Sequence, residues 1–362
     1  MTTLADLGVR IGTLPRGSTN SVIDVPGAGL GHATVVYDEP NPPEGRGLAR
    51  TGVTVVDLGG DPFLEPVPAG VALLNGAGEL TSRSQMDEWG VAETPVFLTS
   101  TMQVGRVYDS ACRLLIEEQP RIGVDDFLIP VVGECDDSWL NDARWMHVTH
   151  EHVRDALAAA RASVGSGIAP DQGAVGAGTG MSCYQWKGGI GTSSRVLPAG
   201  HVVGVVLLCN FGQWDRLTIA GVPVGQLLGR PAHVPPPPAG SCLGVVVTDA
   251  PIDHRGCERL ATRIGLGLAR TGSTAHHGSG EIFMAAATGL RAPRGTASAK
   301  APLTGRELDP YFEAVVDASE EAVVNCLLSA HDVTGVGGKT VPALPREAVA
   351  ELLDRHYAGP RA

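Results

Sequence analysis

Gly240 and Ser241 are the residues in this chain best placed to react, because they lie between a run of prolines and a strongly apolar segment. Proline lacks a peptide N–H and has a fixed φ, so residues 235–238 predict an extended, exposed tether. Glycine tolerates unusual backbone conformations, and residues 243–247 have the apolar, β-branched composition of a buried strand. This order predicts a cleavable Gly240–Ser241 bond, with Ser241 at the start of a core strand.

Cleavage at that bond would give Ser241 two reactive groups, its hydroxyl and a free α-amine. An α-amine has a pKa of about 7.7–8.0, so near neutral pH it can accept the proton of its own hydroxyl. Hydroxyl nucleophiles activated by their own terminal amine are an established form of covalent catalysis. Without further evidence, the same residues also fit an interdomain proline linker followed by an ordinary strand.

Longer motifs in the chain resemble those of the DmpA-type aminopeptidases, which include L-aminopeptidase/D-amidase-esterases and β-peptidyl aminopeptidases. The matching stretches are GAVGAGTGMSCYQWKGGIGTSSR at 173–195, CNFGQ at 209–213, GSCLGVVVTDAP at 240–251, GLARTG at 267–272 and GSGEIF at 278–283. The resemblance begins at IDVPG, residues 23–27, and covers nearly all of the remaining chain. It implies one catalytic domain with the αββα sandwich of the DmpA/ornithine-acetyltransferase-like type. It also implies autocleavage into residues 1–240 and 241–362.

The resemblance assigns the nucleophile to Ser241 and matches a Ser-x-Glu pair to Ser279 and Glu281. A carboxylate bonded to a hydroxyl can orient a nucleophile or its ammonium. Without the resemblance, residues 279–281 would be read as a solvated Ser-Gly-Glu loop.

Two further residues match substrate-facing positions of the family. Asn210 matches the Asn of the Asn-Phe-Gly segment, where an amide can donate to the oxyanion of a tetrahedral intermediate; a capping Asn at a strand end is the alternative. Glu134 matches the glutamate that faces the substrate's free amine, and a carboxylate–ammonium pair would explain a requirement for an unblocked N-terminus.

The chain departs from the family pattern directly after Glu134. Relatives carry a Tyr two residues after this glutamate, whereas this chain has Asp136 there. A Tyr hydroxyl would assist an oxyanion, and an Asp anion would oppose it. Either Asp136 turns away from the reaction centre, or the loop serves a different substrate.

The sequence disfavours two other chemistries, thiol catalysis and a zinc site. The thiol of Cys242 adjoins Ser241, but neighbours on a strand point to opposite faces. His147, His150 and His152 crowd one helix start without the spacing and carboxylate or fourth ligand that a zinc site needs. The sequence therefore predicts neither a metal nor another cofactor.

The remaining chain alternates strand-like and helix-like segments, which is typical of a layered α/β protein. Residues 21–38 predict two short strands broken at Pro26. A helix is expected to open near Thr81, whose hydroxyl can cap free N–H groups, and another at residues 147–163 with Thr149 as its N-cap.

Composition limits the partners and the compartment. At 362 residues with 43% hydrophobic content, the chain can bury one large core or two ordinary ones. Its formal net charge of −12 argues against a nucleic-acid or anionic-membrane partner. Seven scattered cysteines and an N-terminus unlike a signal peptide favour reduced thiols and a cytoplasmic location. The resemblance implies a homo-oligomer, a tetramer of cleaved pairs.

Taken together, the sequence predicts a self-processing aminopeptidase that releases N-terminal residues from small peptides, amides or esters through an acyl-enzyme on Ser241. One alternative keeps the acyl-enzyme but transfers the acyl group to an amine or alcohol, as a biosynthetic acyltransferase would. A second alternative is an unprocessed, inactive relative. Side-chain preference and the choice between α- and β-amino acids depend on the shape of the pocket.

Overall fold

The structure is a computed structural model that describes residues 2–231 and 240–357. The proline tether expected at residues 235–238 lies outside the described residues. Gly240 and all other candidate site residues lie within them.

Two β-sheets form the centre of the described part of the chain. The smaller sheet has four strands, in the spatial order β1 (Gly29–Asp38), β2 (Leu48–Asp57), β5 (Val96–Ser100) and β6 (Val131–Cys135). The larger sheet has six, in the order β4 (Val91–Ala92), β3 (Val67–Gly76), β12 (Gly280–Ala287), β11 (Ser241–Thr248), β10 (Val202–Asn210) and β9 (Gly189–Val196). Neighbours run antiparallel except β5 with β6 and β11 with β12, which are parallel.

Helices cover the outer face of each sheet. The smaller sheet packs against α2 (Val104–Glu118) and α3 (His150–Ser163), and the larger against α5 (His254–Arg270) and α6 (Asp309–Ser329). A third apolar cluster lies between the two sheets. The layers therefore follow the order α-β-β-α, as expected from the sequence.

Shorter elements connect these layers. They are α1 (Arg83–Trp89), β7 (Ser182–Cys183), β8 (Trp186–Lys187), α4 (Val224–Leu228), β13 (Val333–Thr334), β14 (Thr340–Val341) and α7 (Arg346–Tyr357). The pair β7–β8 forms a hairpin within the Gly-rich segment. This hairpin leads directly into β9, an edge strand of the larger sheet.

The central strands are apolar on both faces because each face packs against another layer. In β11 the side chains of Leu243 and Val245 join the cluster between the sheets, whereas Cys242 and Val246 join the cluster under the helices. All eight residues of β11 are buried. The core strand predicted to start at Ser241 is therefore confirmed, with Ser241 as its first residue.

Two local predictions were wrong. Residues 21–38 contain one strand, β1, preceded by a 3₁₀ turn at Val22–Asp24, because the Asp24 carboxylate accepts from the peptide N–H of Thr19 (2.9 Å) and closes the turn. The helix expected to open near Thr81 is confirmed and begins at Arg83, but Thr81 does not cap it, because its hydroxyl donates to the Pro130 carbonyl (2.6 Å). The Thr149 cap of α3 is confirmed by its bond from the N–H of His152.

Candidate active site

Ser241 lies in the larger sheet where β10 ends and both β11 and β12 begin. Its Cα pairs with that of Asn210, the last residue of β10, and on the other side with Gly280, the first residue of β12. By strand alternation its side chain shares the face of Leu243, between the two sheets. Ser241 is only 6% exposed. The hydroxyl is thus held in a low-dielectric setting at the end of a rigid strand.

Gly240 is held by both neighbouring strands. Its carbonyl oxygen accepts a hydrogen bond from the peptide N–H of Gly280 at 3.1 Å. A Cβ at Gly240 would lie 2.5 Å from the carbonyl oxygen of Asn210 and 2.8 Å from the Cα of Phe211. The close approach of these backbones explains why glycine precedes Ser241.

The amide of Asn210 is fixed on both sides. Its Oδ1 accepts from the peptide N–H of Ser182 at 2.9 Å, and its Nδ2 donates to the carbonyl oxygen of Asp136 at 2.8 Å. An amide group carries two N–H donors, and the second has no partner among the residues that the structure describes. The Asn210 amide is therefore oriented beside Ser241, and its second N–H is available to a ligand.

Lys187 secures the loop that orients Asn210. Its buried ammonium donates to the carbonyl oxygens of Gly178 (2.9 Å), Met181 (2.6 Å) and Gly188 (2.8 Å), which flank Ser182. Burial lowers the pKa of Lys187 to about 7. Sequence reasoning missed this residue, although a lone lysine inside an apolar, glycine-rich motif was a signal for a buried charge.

Ser279 and Glu281 form a buried pair. The Ser279 hydroxyl donates to Oε1 of Glu281, and Oε2 has no hydrogen-bond partner among the described residues. Burial raises the pKa of Glu281, while the hydrogen bond from Ser279 and the nearby Asn75 amide oppose that shift. The pair lines a narrow cavity of about 20 Å³ together with Gly240. Glu281 thus has one carboxylate oxygen without a partner in the described part of the chain, and the cavity that Glu281 lines adjoins Gly240.

Strand alternation separates this pair from the Ser241 hydroxyl. Glu281 shares the helix-side face of β12 with Phe283, and its Cα is paired with that of Cys242. Its carboxylate therefore lies on the face opposite the Ser241 side chain. The thiol of Cys242 also points to the helix side, as expected, which removes it as an alternative nucleophile.

Glu134 lies at the edge of the other sheet, at the end of β6. Its Oε1 accepts from the peptide N–H of Glu79 at 2.8 Å, and its Oε2 accepts from the Thr101 hydroxyl. Burial raises the pKa of Glu134. A Cβ at Gly78 would lie 3.2 Å from Glu134 Oε1 and 3.7 Å from the Cα of Gly280, so only a glycine separates Glu134 from the strand beside Ser241.

Two residues near the site were not selected from the sequence. Burial raises the pKa of the Cys135 thiol, and its interaction with the Ser241 hydroxyl opposes that shift. The thiol donates to the carbonyl oxygen of Leu208 at 3.6 Å. Thr101 was also missed. It follows β5, the parallel neighbour of β6, and residues at the carboxyl ends of adjacent parallel strands lie close together.

The histidine-rich helix start is not arranged as a metal site. His147 bonds the Tyr37 hydroxyl and the Asp142 carbonyl, and His152 accepts from the peptide N–H of Thr149. Among residues 2–231 and 240–357, no three His, Cys, Asp or Glu side chains are grouped to hold a metal ion.

Comparison with known proteins identifies the family. The sequence model of peptidase family S58 matches residues 20–341. The chain belongs to peptidase family S58. The β-peptidyl aminopeptidase BapA of Sphingosinicella xenopeptidilytica is 37% identical over 97% of this S58 chain and 91% of that protein.

Solved structures of relatives agree over almost the whole chain. A β-aminopeptidase from a Burkholderia species has a TM-score of 0.86 at 38% identity and covers 100% of both chains. The L-aminopeptidase D-Ala-esterase/amidase of Ochrobactrum anthropi has a TM-score of 0.88 at 34% identity over 99% of both. That enzyme is described as a prototype of the serine aminopeptidases and a variant of the Ntn-hydrolase fold.

These findings confirm the predicted family, the α/β fold class and the enzyme class. The S58 chain is an aminopeptidase with the Ntn-hydrolase fold. None of its described helices is both long and apolar enough to span a bilayer.

Proposed function

We propose that this S58 peptidase is a self-processing N-terminal-nucleophile aminopeptidase, with Ser241 as its nucleophile. It releases N-terminal residues from small peptides, amides or esters through an acyl-enzyme. The single αββα catalytic domain matures into residues 1–240 and 241–362, which stay associated because β10 and β11 are paired along their length.

The hydrogen bond from the Gly280 N–H to the Gly240 carbonyl oxygen carries this proposal. When the Ser241 hydroxyl adds to the Gly240 carbonyl carbon, negative charge develops on that oxygen, where a donor is already in place. The C–N bond then breaks, the hydroxyl proton passes to the Ser241 nitrogen, and water hydrolyses the resulting ester. The products are a carboxylate at Gly240 and a free α-amine on Ser241.

The new α-amine serves as the general base in the mature enzyme. Glu281 lines the cavity beside Gly240, and its Oε2 has no hydrogen-bond partner among the described residues. Strand alternation places its side chain on the face of the sheet opposite the Ser241 hydroxyl. This supports a role for Ser279 and Glu281 in holding the amine. The free N–H of the Asn210 amide is proposed to donate to the oxyanion formed from the substrate.

Glu134 is proposed to bind the α-ammonium of the substrate. Its two oxygens each accept one bond from the protein, and a carboxylate offers about four lone-pair sites, so capacity remains for an ammonium. The position of Gly78 between Glu134 and Gly280 supports placing the substrate N-terminus next to Ser241.

Intact-mass spectrometry of the purified protein tests the processing step. The wild type and a control variant, Ser298→Ala in an exposed loop, should both give masses for residues 1–240 and 241–362. Ser241→Ala should remain one chain and fail to hydrolyse an aminoacyl p-nitroanilide. Full activity from a preparation with an intact Gly240–Ser241 bond contradicts the mechanism.

A competing nucleophile separates hydrolysis from acyl transfer, since both proceed from the same acyl-enzyme. We expect free amino acid to dominate the products when an amine or alcohol is added, and conjugate to dominate if the chain is an acyltransferase. Homo-oligomerisation to a tetramer and a cytoplasmic location stay predictions. Light scattering on the purified protein and cell fractionation test them.

A further inference from the structure

A surface cleft adjoins the candidate active site on the Glu134 side. Its volume is about 630 Å³, and its lining includes Thr101, Met102 and Asp136. Thr101 donates to the Glu134 carboxylate, and the Asp136 carbonyl accepts from the Asn210 amide. The cleft is therefore joined to both residues proposed to contact the substrate, through direct hydrogen bonds.

The charges of the cleft are unbalanced. Arg144 lines it but is paired in a bidentate fashion with Asp142, at 2.8 Å and 2.6 Å. Asp136 is exposed, and its carboxylate accepts only from the Ser138 N–H (3.0 Å) and hydroxyl (2.8 Å). Within the ranges the structure describes, it forms no ion pair. Asp136 therefore adds to the cleft lining an exposed carboxylate that has no cationic partner among the described residues.

Asp136 also acts on Glu134 through space. Both Asp136 and Glu79 add to the burial effect that raises the pKa of Glu134, so the carboxylates are near enough to repel one another. A single ammonium bound at Glu134 leaves the Asp136 charge uncompensated. A second positive charge on the same substrate would balance it.

We propose that Asp136 is a specificity-determining residue that selects substrates whose N-terminal residue has a cationic side chain, such as lysine or ornithine. The inference rests on the proposed function, in which Glu134 takes the substrate's α-ammonium. Two residues of extended chain span roughly 6–7 Å, a distance that the flexible four-carbon stem of lysine covers. The α-ammonium pairs with Glu134, and the side-chain ammonium reaches Asp136.

The test compares L-lysine p-nitroanilide with L-norleucine p-nitroanilide, because norleucine has the same stem length without the charge. The measured quantity is the ratio of kcat/KM for lysine to that for norleucine. Asp136→Asn should lower this ratio by about two- to fivefold, the range for a partly exposed ion pair. Arg144→Gln should raise it, since Asp142 would then add an unpaired anion to the cleft.

Asp87→Asn is the matched control, since it removes the same charge from an exposed residue of α1 outside the cleft. Its ratio should equal that of the wild type. In the wild type, added salt should lower the ratio, because exposed charge pairs are screened. The salt measurement uses only the wild-type protein, so it does not depend on the folding of any variant.

The outcomes distinguish the two proposals. A wild type that hydrolyses both substrates with a ratio insensitive to Asp136→Asn and to salt overturns the role of Asp136 and leaves the aminopeptidase mechanism standing. A mature enzyme that hydrolyses no free-amine substrate, whether of the α- or the β-amino acid type, overturns the proposed function, and the specificity inference fails with it.

Discussion

Asn210 and Ser241 are Cα partners at the paired ends of two antiparallel strands, which places an oriented amide directly beside the proposed nucleophile. The amide is clamped by Ser182 and Asp136, so little reorganisation is needed when an oxyanion forms. Preorganised donors of this kind account for much of the rate enhancement in acyl-transfer enzymes.

Replacing Asn210 tests this arrangement. Asn210→Ala should lower kcat by about 100- to 1,000-fold with little change in KM, because the donor acts mainly on the transition state. Steady-state kinetics on a p-nitroanilide checks it. A variant that loses affinity but keeps kcat would mean that Asn210 binds the ground state instead.

Glu134→Gln separates substrate recognition from chemistry. Self-processing should persist, because the precursor has no free amine at that position. The kcat/KM for substrates with a free N-terminus should fall by a factor that corresponds to about 1.5–3 kcal/mol, the range for a hydrogen bond to a charged group. Discrimination against N-acetylated substrates should fall with it, whereas Glu151→Gln on the exposed face of α3 should change neither property. Unaltered selectivity would place the ammonium elsewhere.

The pH profile tests the amine base. The α-amine accepts a proton only when deprotonated, so kcat/KM should rise with pH through an apparent pKa near or below about 8. A neighbouring carboxylate favours the ammonium form, so removing it in Glu281→Gln should move this rise to lower pH and depress turnover of every substrate alike. An unmoved profile would show that Glu281 does not face the amine.

Metal removal provides a further check. EDTA should leave activity unchanged, because the described residues hold no grouped metal ligands and the amine already serves as base. Activity lost on dialysis against EDTA and restored by zinc would instead indicate a zinc site at His147 and the neighbouring histidines.

Lys187→Met should destabilise the fold. It leaves three buried carbonyl acceptors without their donor, so the free energy of unfolding should drop by at least about 2 kcal/mol. The exposed Lys300→Met should have no comparable effect in denaturant unfolding.

The same variant has a defined pH dependence. The folded-state pKa of about 7 for Lys187 is depressed, and the ordinary value is about 10.4. The unfolded chain therefore binds this proton more tightly, and the stability linked to Lys187 rises with pH between those values. The gap between wild type and Lys187→Met should widen from pH 7 to pH 10. A constant gap would indicate that the lysine titrates normally.

Sequence alone predicted the strand that begins at Ser241, because a β-branched apolar run directly after Gly240 has few other ways to bury its side chains. The α/β layering followed from the alternation of strands and helices, and the family followed from long motifs in fixed order. The helix near Thr81 was predicted correctly, but its cap was not, because a hydroxyl that caps a helix can equally bond a distant carbonyl, here that of Pro130.

Tertiary structure alone decided how the candidate residues meet. Glu134 and Ser241 are far apart in sequence and come from different sheets, and only the packing of one sheet on the other brings them together across Gly78. The side of the larger sheet on which Glu281 lies depends on strand register. So does the clamping of Asn210. A sequence specifies local pattern, whereas contacts between distant segments depend on how the layers pack.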